Sequence, residues 1–160
     1  MKRTYITEPP ETVLLRYGQD ILSSASFLKL KNYRHHEKSN TYDHSVAVTL
    51  EALSFARNMR IKVSPSTLVR GCLLHDYYLY DQHSEDRPKW HWSRHGIYAA
   101  QNAMRDFHVS ATEADMIAHH MWPLHPFRFP LCVEGWILIL ADKKVAVKDR
   151  LQADSAALNQ

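Results

Sequence analysis

One feature of this sequence constrains its fold more than any other: His75 and Asp76 stand side by side where the apolar stretch Leu73-Leu74 ends. A neighbouring imidazole and carboxylate offer a nitrogen and an oxygen to one point in space, which suits a hard or borderline metal ion. The pair alone is weak evidence, because the chain contains 11 histidines. The interpretation depends on whether other segments bring similar residues onto apolar faces.

The spacing of apolar residues predicts an all-α fold. Intervals of three and four residues indicate helices over 11–28, 41–59, 65–76, 93–107, 110–120 and 133–151. Proline pairs or serines mark several helix starts: Pro9-Pro10, Ser64-Pro65, a Ser93 cap, and a capping box of Ser110 with Glu113. Residues 29–40, 77–92 and 122–130 are predicted connections. No segment alternates with the period of a strand over a useful length.

The length of 160 residues indicates one domain, 1–160, with a motif-bearing core over about 36–150 and a frayed tail at 153–160. A chain of this size can bury about 70% of its unfolded surface without a disulfide. Cys72 and Cys132 lie in apolar surroundings and form no Cys-x-x-Cys motif, so we expect reduced, buried thiols and a cytoplasmic protein.

Composition disfavours two classes of partner. The longest strongly apolar run, 136–141, is too short to cross a membrane, and the N-terminus lacks the apolar segment of a signal peptide. A formal charge of +3 comes from scattered lysines and arginines, which give no strong nucleic-acid signal. The oligomeric state is not defined by the sequence.

Five predicted helices each place one or two metal-competent side chains on an inward stripe: His44, His75 with Asp76, His95, His120 and Asp142. Taken singly, each histidine is more simply a satisfied, half-buried residue, and His75-Asp76 could be a helix-end pair. Asp142 is harder to explain, because it follows the apolar run 137–141 and an ionised buried carboxylate costs several kcal/mol unless paired or bound to metal. If there were no metal, the buried polar groups of these five helices would each need a separate hydrogen-bond partner, whereas one shared metal centre would satisfy them together.

The order His44, His75-Asp76, Asp142 resembles the signature of the HD superfamily of metal-dependent phosphohydrolases. The resemblance extends from about residue 36 to 143. Four of its sequence motifs resemble those of small, single-domain bacterial HD proteins: Tyr42-Asp-His-Ser-Val, Arg70-Gly-Cys-Leu-Leu-His-Asp-Tyr-Tyr-Leu-Tyr-Asp81, His120-Met-Trp-Pro-Leu and Ala141-Asp-Lys143. The glycine-rich proline motif of members that cleave cyclic dinucleotides is absent, which disfavours that substrate.

The resemblance implies a compact multi-helix HD-domain bundle with a metal site between helices. A first ion would be held by His44, His75, Asp76 and Asp142. His95 and His120 resemble the histidines that bind a second ion in two-metal members, with Asp76 shared. His119 fits less well, because it points to a different face from His120.

A set of histidines and aspartates without thiolate suits one or two ions of Mn, Fe, Co, Ni or Zn. Such an ion lowers the pKa of bound water from 15.7 to about 7. We therefore hypothesise a hydrolase that cleaves a small phosphorylated substrate, a phosphomonoester or phosphodiester of a nucleotide or related metabolite. Asp76 would orient the attacking water, and Lys143 could contact a phosphate, although a solvated surface explains Lys143 equally well.

Five further residues are candidates for contacts around the ligands or with substrate: His36, Asp81, His83, His91 and Arg94. For Arg94 a solvated helix surface is the better explanation. Two other functions stay open. Some HD-fold proteins hold two irons and activate oxygen, and a degenerate HD domain can serve as a non-catalytic metal-binding module, although the full set of ligand residues argues against the latter.

Overall fold

The computed structural model describes residues 2–36, 39–85 and 87–157, without the side chains of residues 35, 36 and 152–157. The chain is mostly helical, which confirms the all-α prediction. The elements in chain order are α1 (Pro10–Leu22), α2 (Ala25–Leu28), a 3₁₀ turn (Lys29–Asn32), β1 (Arg34–His36), β2 (Ser39–Asn40), α3 (Thr41–Asn58), α4 (Pro65–Leu74), α5 (His91–Phe107), α6 (Ala111–Ala118) and α7 (Val133–Ala157).

The predicted helix 11–28 is wrong in one respect, because it is interrupted at Ser23 and Ser24. The Ser23 hydroxyl donates to the Gln19 carbonyl, and the Ser24 oxygen accepts from the Phe27 amide as the N-cap of α2. Serine hydroxyls compete with the helix for backbone partners, which makes this break favourable. The predicted connection 29–40 contains the 3₁₀ turn and the antiparallel pair of β1 and β2. These strands are too short to show an alternating pattern.

The helix starts are partly as predicted. α4 begins with Pro65 after Ser64, whose side chain accepts from the Thr67 amide, and both bonds of the Ser110–Glu113 capping box are present. The Ser93 cap was a wrong prediction: α5 already begins at His91, and the Ser93 hydroxyl donates back to the Trp90 carbonyl.

The predicted end of the last helix at 151 is also wrong, since α7 continues to Ala157. The predicted frayed tail therefore begins inside a helix, and residues 158–160 lie outside the described residues. The sequence gives no stop signal after 151, because the next residues include good helix formers and neither glycine nor proline.

The core forms around α4, which packs against α1, α3, α6 and α7. Gly71 lets α4 approach α6 closely, because a Cβ at this position would lie 2.4 Å from the Met116 sulfur. Cys72 and Cys132 are free and buried, as predicted. The same apolar spacing that predicts α3 and α5 places Met59 and Met104 on their inward faces, but both side chains are exposed. Met59 lies just past the end of α3. None of the described helices is long and apolar enough to cross a membrane.

Candidate metal centre

All six side chains predicted as metal ligands meet at one place between the helices. His44 is in the first turn of α3, His75 and Asp76 follow the last turn of α4, and Asp142 projects from α7. His95 is one turn into α5, because that helix begins earlier than predicted, and His120 follows the end of α6. All of these except Asp142 are buried, and the Asp142 side chain is 17% exposed.

Four of the residues form what we call the first group: His44, His75, Asp76 through Oδ2, and Asp142. The His44 Nε2 lies 3.1 Å from Asp142 Oδ1. The His75 Nε2 lies 3.7 Å from the same oxygen and 3.5 Å from Asp76 Oδ2. One carboxylate from α7 therefore faces imidazoles from both α3 and the end of α4.

The second group consists of Asp76 through Oδ1, His95 and His120. The two imidazole Nε2 atoms are 3.0 Å apart. Asp76 Oδ1 lies 3.4 Å from the Nε2 of His95 and 3.6 Å from that of His120. Asp76 thus presents one oxygen to each group.

The distances between donor atoms fit the requirements of a shared ion. Donors that bind a first-row ion at about 2.0–2.2 Å can be no more than about 4.4 Å apart. Every pair above is closer than that. Three overlapping sets of donor atoms cluster within 4.8 Å: His44 with His75 and Asp76, His75 with His120 and Asp142, and Asp76 with His95 and His120. These buried groups could hold a metal ion.

Backbone carbonyls determine which nitrogen of three histidines carries the proton. The Nδ1 atoms of His75, His95 and His120 lie 2.8, 3.2 and 2.7 Å from the carbonyl oxygens of Cys72, His91 and Ile117 respectively. A carbonyl can only accept, so each Nδ1 donates and, in a neutral ring, each Nε2 keeps a lone pair. The lone pairs of His95 and His120 then face each other at 3.0 Å, an arrangement that needs a proton or a cation between them.

Electrostatics favour positive charge in the first group. Burial lowers the pKa of His44, but the hydrogen-bonded Asp142 and the nearby Asp149 outweigh it and raise the pKa to about 9. For His75, burial again lowers the pKa, and Asp76 and Asp142 more than compensate. Burial raises the pKa of Asp142, yet the hydrogen bond to His44 and the nearby His75 imidazole hold it well below its usual value. The first group therefore favours a positive charge, which a divalent ion could supply.

In the second group, the surroundings of His120 disfavour a positive charge on its ring. Burial, together with neighbouring His95 and His75, lowers the pKa of His120 to about 3. This imidazole therefore stays neutral at physiological pH, which is the form that binds metal.

A glycine fixes the separation of α5 from the end of α6. A Cβ on Gly96, beside His95, would lie 2.9 Å from the Ile117 carbonyl oxygen and 3.1 Å from His120 Nδ1. Only glycine permits this approach without displacement of the carbonyl that holds His120.

Of the five additional candidates, His91 touches a proposed ligand. Its carbonyl accepts from His95, and its ring stacks on the His95 ring at 4.9 Å between centroids. The His91 ring is held between the Tyr80 hydroxyl at 2.8 Å and the Gln82 amide oxygen at 3.2 Å. Burial and His95 lower the pKa of His91 to about 4, so this ring is neutral.

The other candidates lie farther from the centre. The Asp81 carboxylate accepts from the His83 amide in a local turn, and Arg94 is exposed on α5. Among the described residues, these three make no hydrogen bond or ion pair with the six central side chains. The His36 side chain lies outside the described residues. Lys143 is exposed, and its ammonium donates to the Trp122 carbonyl at 2.7 Å.

Sequence reasoning missed one carboxylate beside the centre. Asp149 has an oxygen 4.0 Å from His44 Nδ1, and its position seven residues after Asp142 on the same helix was an available signal. Tyr78 packs its ring edge-on against His91 and His95, at 5.3 and 5.8 Å between centroids. Residues 77–92 were predicted as a surface loop, so the burial of Tyr77 and Tyr78 is a correction. Their aromatic rings pack inward at the end of α4, a tertiary contact without a periodic signal.

Comparison of the chain with protein-family models, with curated proteins and with solved structures gave no match.

Proposed function

We propose that this chain is a metal-dependent phosphohydrolase of the HD type, acting on a phosphomonoester or phosphodiester of a nucleotide or related metabolite. The observation that carries the proposal is the convergence of three imidazoles, those of His75, His95 and His120, on the carboxylate of Asp76, which presents one oxygen to each group. Paired sites that share a carboxylate suit hydrolysis of phosphate esters, because both the attacking and the leaving oxygen need stabilisation.

The residues would hold two divalent ions of Mn, Fe, Co, Ni or Zn, one in each group. Bound there, the ions would supply Lewis acidity and lower the pKa of a coordinated water. The donor set fits this class of ion, because it contains imidazole and carboxylate and no thiolate.

The protein's own contribution is orientation and desolvation. Carbonyls of Cys72, His91 and Ile117 fix three imidazoles, so their lone pairs need no rearrangement. Asp76 is buried between both groups, where it can accept a hydrogen bond from the attacking water and hold it in line. Lys143 follows Asp142 on α7, and a substrate phosphate would compete with the Trp122 carbonyl for its ammonium.

The test combines metal analysis with phosphate release. Purified protein should contain close to two transition-metal ions per chain. In Mn, Co, Ni or Mg it should release phosphate from a phosphomonoester, or convert a phosphodiester to a phosphomonoester, for at least one member of a nucleotide panel. The control is Asp115→Asn, which should keep both the metal and the activity, because Asp115 is hydrogen-bonded to His119, an imidazole outside the centre. Protein that binds no metal, or that binds iron and consumes oxygen without releasing phosphate, contradicts the proposal. The latter result would favour the diiron oxygenase.

A further inference from the structure

His44 differs from the other three histidines of the centre in what its Nδ1 faces. In His75, His95 and His120 this nitrogen donates to a backbone carbonyl. In His44 it faces a carboxylate, with Asp149 Oδ2 at 4.0 Å. His44 is buried and Asp149 is partly exposed, so the pair lies at the edge of the centre rather than inside it.

α7 supplies carboxylates to both nitrogens of this one imidazole. Asp142 and Asp149 are seven residues apart, which at about 100° per residue places them within about 20° of each other on the helix face. Asp142 lies 3.1 Å from Nε2, whereas Asp149 approaches Nδ1. Because the two nitrogens point away from each other across the ring, Asp149 cannot share an ion bound at Nε2. Its effect must pass through the imidazole.

We propose that Asp149 is a positioning residue that orients His44 with Nδ1 protonated and Nε2 directed at the first group, and so strengthens metal binding there. The inference rests on the proposed function, because it assumes that the first group binds a divalent ion. A carboxylate behind an imidazole makes the ring a better electron donor than a carbonyl does, and it also fixes the ring plane. Nothing comparable supports His95 or His120 within the described part of the chain.

The proposal predicts a selective effect. Loss of the Asp149 carboxylate should weaken the first group and spare the second, which shares with it only Asp76. Partners of this kind contribute about 10–100-fold to metal affinity. Asp149→Ala should therefore lower the affinity of the first group by that factor, Asp149→Asn by a smaller factor, and Asp149→Glu should restore most of it.

The experiment titrates metal-free protein with zinc in competition with a chromophoric chelator. The His120→Ala variant provides the background, because it removes a second-group donor and leaves the first group as the main site. Asp115→Asn is the matched control, since it neutralises a carboxylate bonded to an imidazole outside the centre. Circular dichroism checks folding, and the near-isosteric Asp149→Asn carries the test if the alanine variant does not fold.

A second readout is the protonation of the ring itself. In zinc-loaded protein, ¹⁵N-detected spectra of the histidine side chains should show His44 with Nδ1 protonated, and Asp149→Ala should broaden or shift that signal. Zinc affinity of Asp149→Ala and Asp149→Asn within threefold of the background protein, with an unchanged His44 signal, would overturn the inference alone. Wild-type protein that binds no zinc would overturn both the inference and the proposed function.

Discussion

The two groups of the centre share Asp76 but are constructed differently. The first group lies among α3, the end of α4 and α7, and it has two carboxylates facing two imidazoles, with Asp149 behind His44. The second group lies between α5 and the end of α6, and it has two imidazoles and only the shared carboxylate. The first therefore attracts cations by charge, whereas the second offers lone pairs that a cation must separate.

Because of this difference, the two groups should bind metal ions with different affinities. Without metal, protons satisfy the first group, as the raised pKa of His44 indicates, and metal binding there must release them. In the second group the pKa of His120 is lowered to about 3, so this imidazole binds no proton that a metal ion would have to displace. Greater negative charge in the first group favours tighter binding of a divalent ion.

The largest effect should come from the residue that both groups share. Asp76→Asn replaces one oxygen with an amide nitrogen and removes the charge, so we expect loss of both ions. If the ions supply several kcal/mol to the reaction, turnover should fall by about 10³-fold or more. Elemental analysis and phosphate release measure both quantities. Retention of two ions per chain by Asp76→Asn would refute the assignment.

Substitution of one ligand from each group should distinguish the two metal-binding events. His44→Ala should abolish the tighter binding event and His120→Ala the weaker one, each reducing the zinc stoichiometry from two to one. Isothermal titration of metal-free protein distinguishes the events. If both variants lost the same binding event, the division into two groups would be wrong.

A smaller, selective effect should follow from Gly96→Ala. The added Cβ would crowd the Ile117 carbonyl at 2.9 Å, which holds His120 in place. We expect a loss of about 1–3 kcal/mol in the free energy of unfolding, as for other overpacked sites. Zinc binding should weaken in the second group and persist in the first. Gly18→Ala, which meets apolar side chains of α4 and α1, controls for overpacking away from the centre.

The effect confined to substrate binding should be that of Lys143→Ala. If this ammonium contacts a substrate phosphate, its loss removes a hydrogen bond to a charged group, worth about 1.5–3 kcal/mol. KM should then rise by about 10-fold or more with metal content unchanged. Lys144→Ala is the control, because Lys144 pairs with Glu51 on the surface. Equal kinetic effects of the two substitutions would exclude a specific role for Lys143.

Much of the helical layout and the inward direction of the six central residues could be predicted, because both follow from local periodicity. Val48 and His44, for example, share a face of α3 because they are four residues apart in a helix, independently of tertiary contacts. The break after α1 was harder to predict, because it depends on serine hydroxyls that compete with the helix for backbone hydrogen bonds. Nothing in the spacing of apolar residues marks these two serines.

The division of the centre could not be predicted from the spacing of residues. Which oxygen of Asp76 faces which imidazole depends on how the ends of α4, α5 and α6 meet, and that meeting depends on the close approach at Gly96. The burial of Tyr78 likewise follows from tertiary packing. Asp149 is the exception, because its seven-residue spacing from Asp142 was visible in the sequence.

The most direct test of the central claim is anomalous diffraction from crystals of the metal-loaded protein, recorded on both sides of the absorption edge of the metal. The account predicts one peak within about 2.0–2.3 Å of donor atoms from His44, His75 and Asp142, and a second beside His95 and His120. Crystals grown with saturating metal that show no peak at this centre, with the six side chains bonded only to one another, would contradict it.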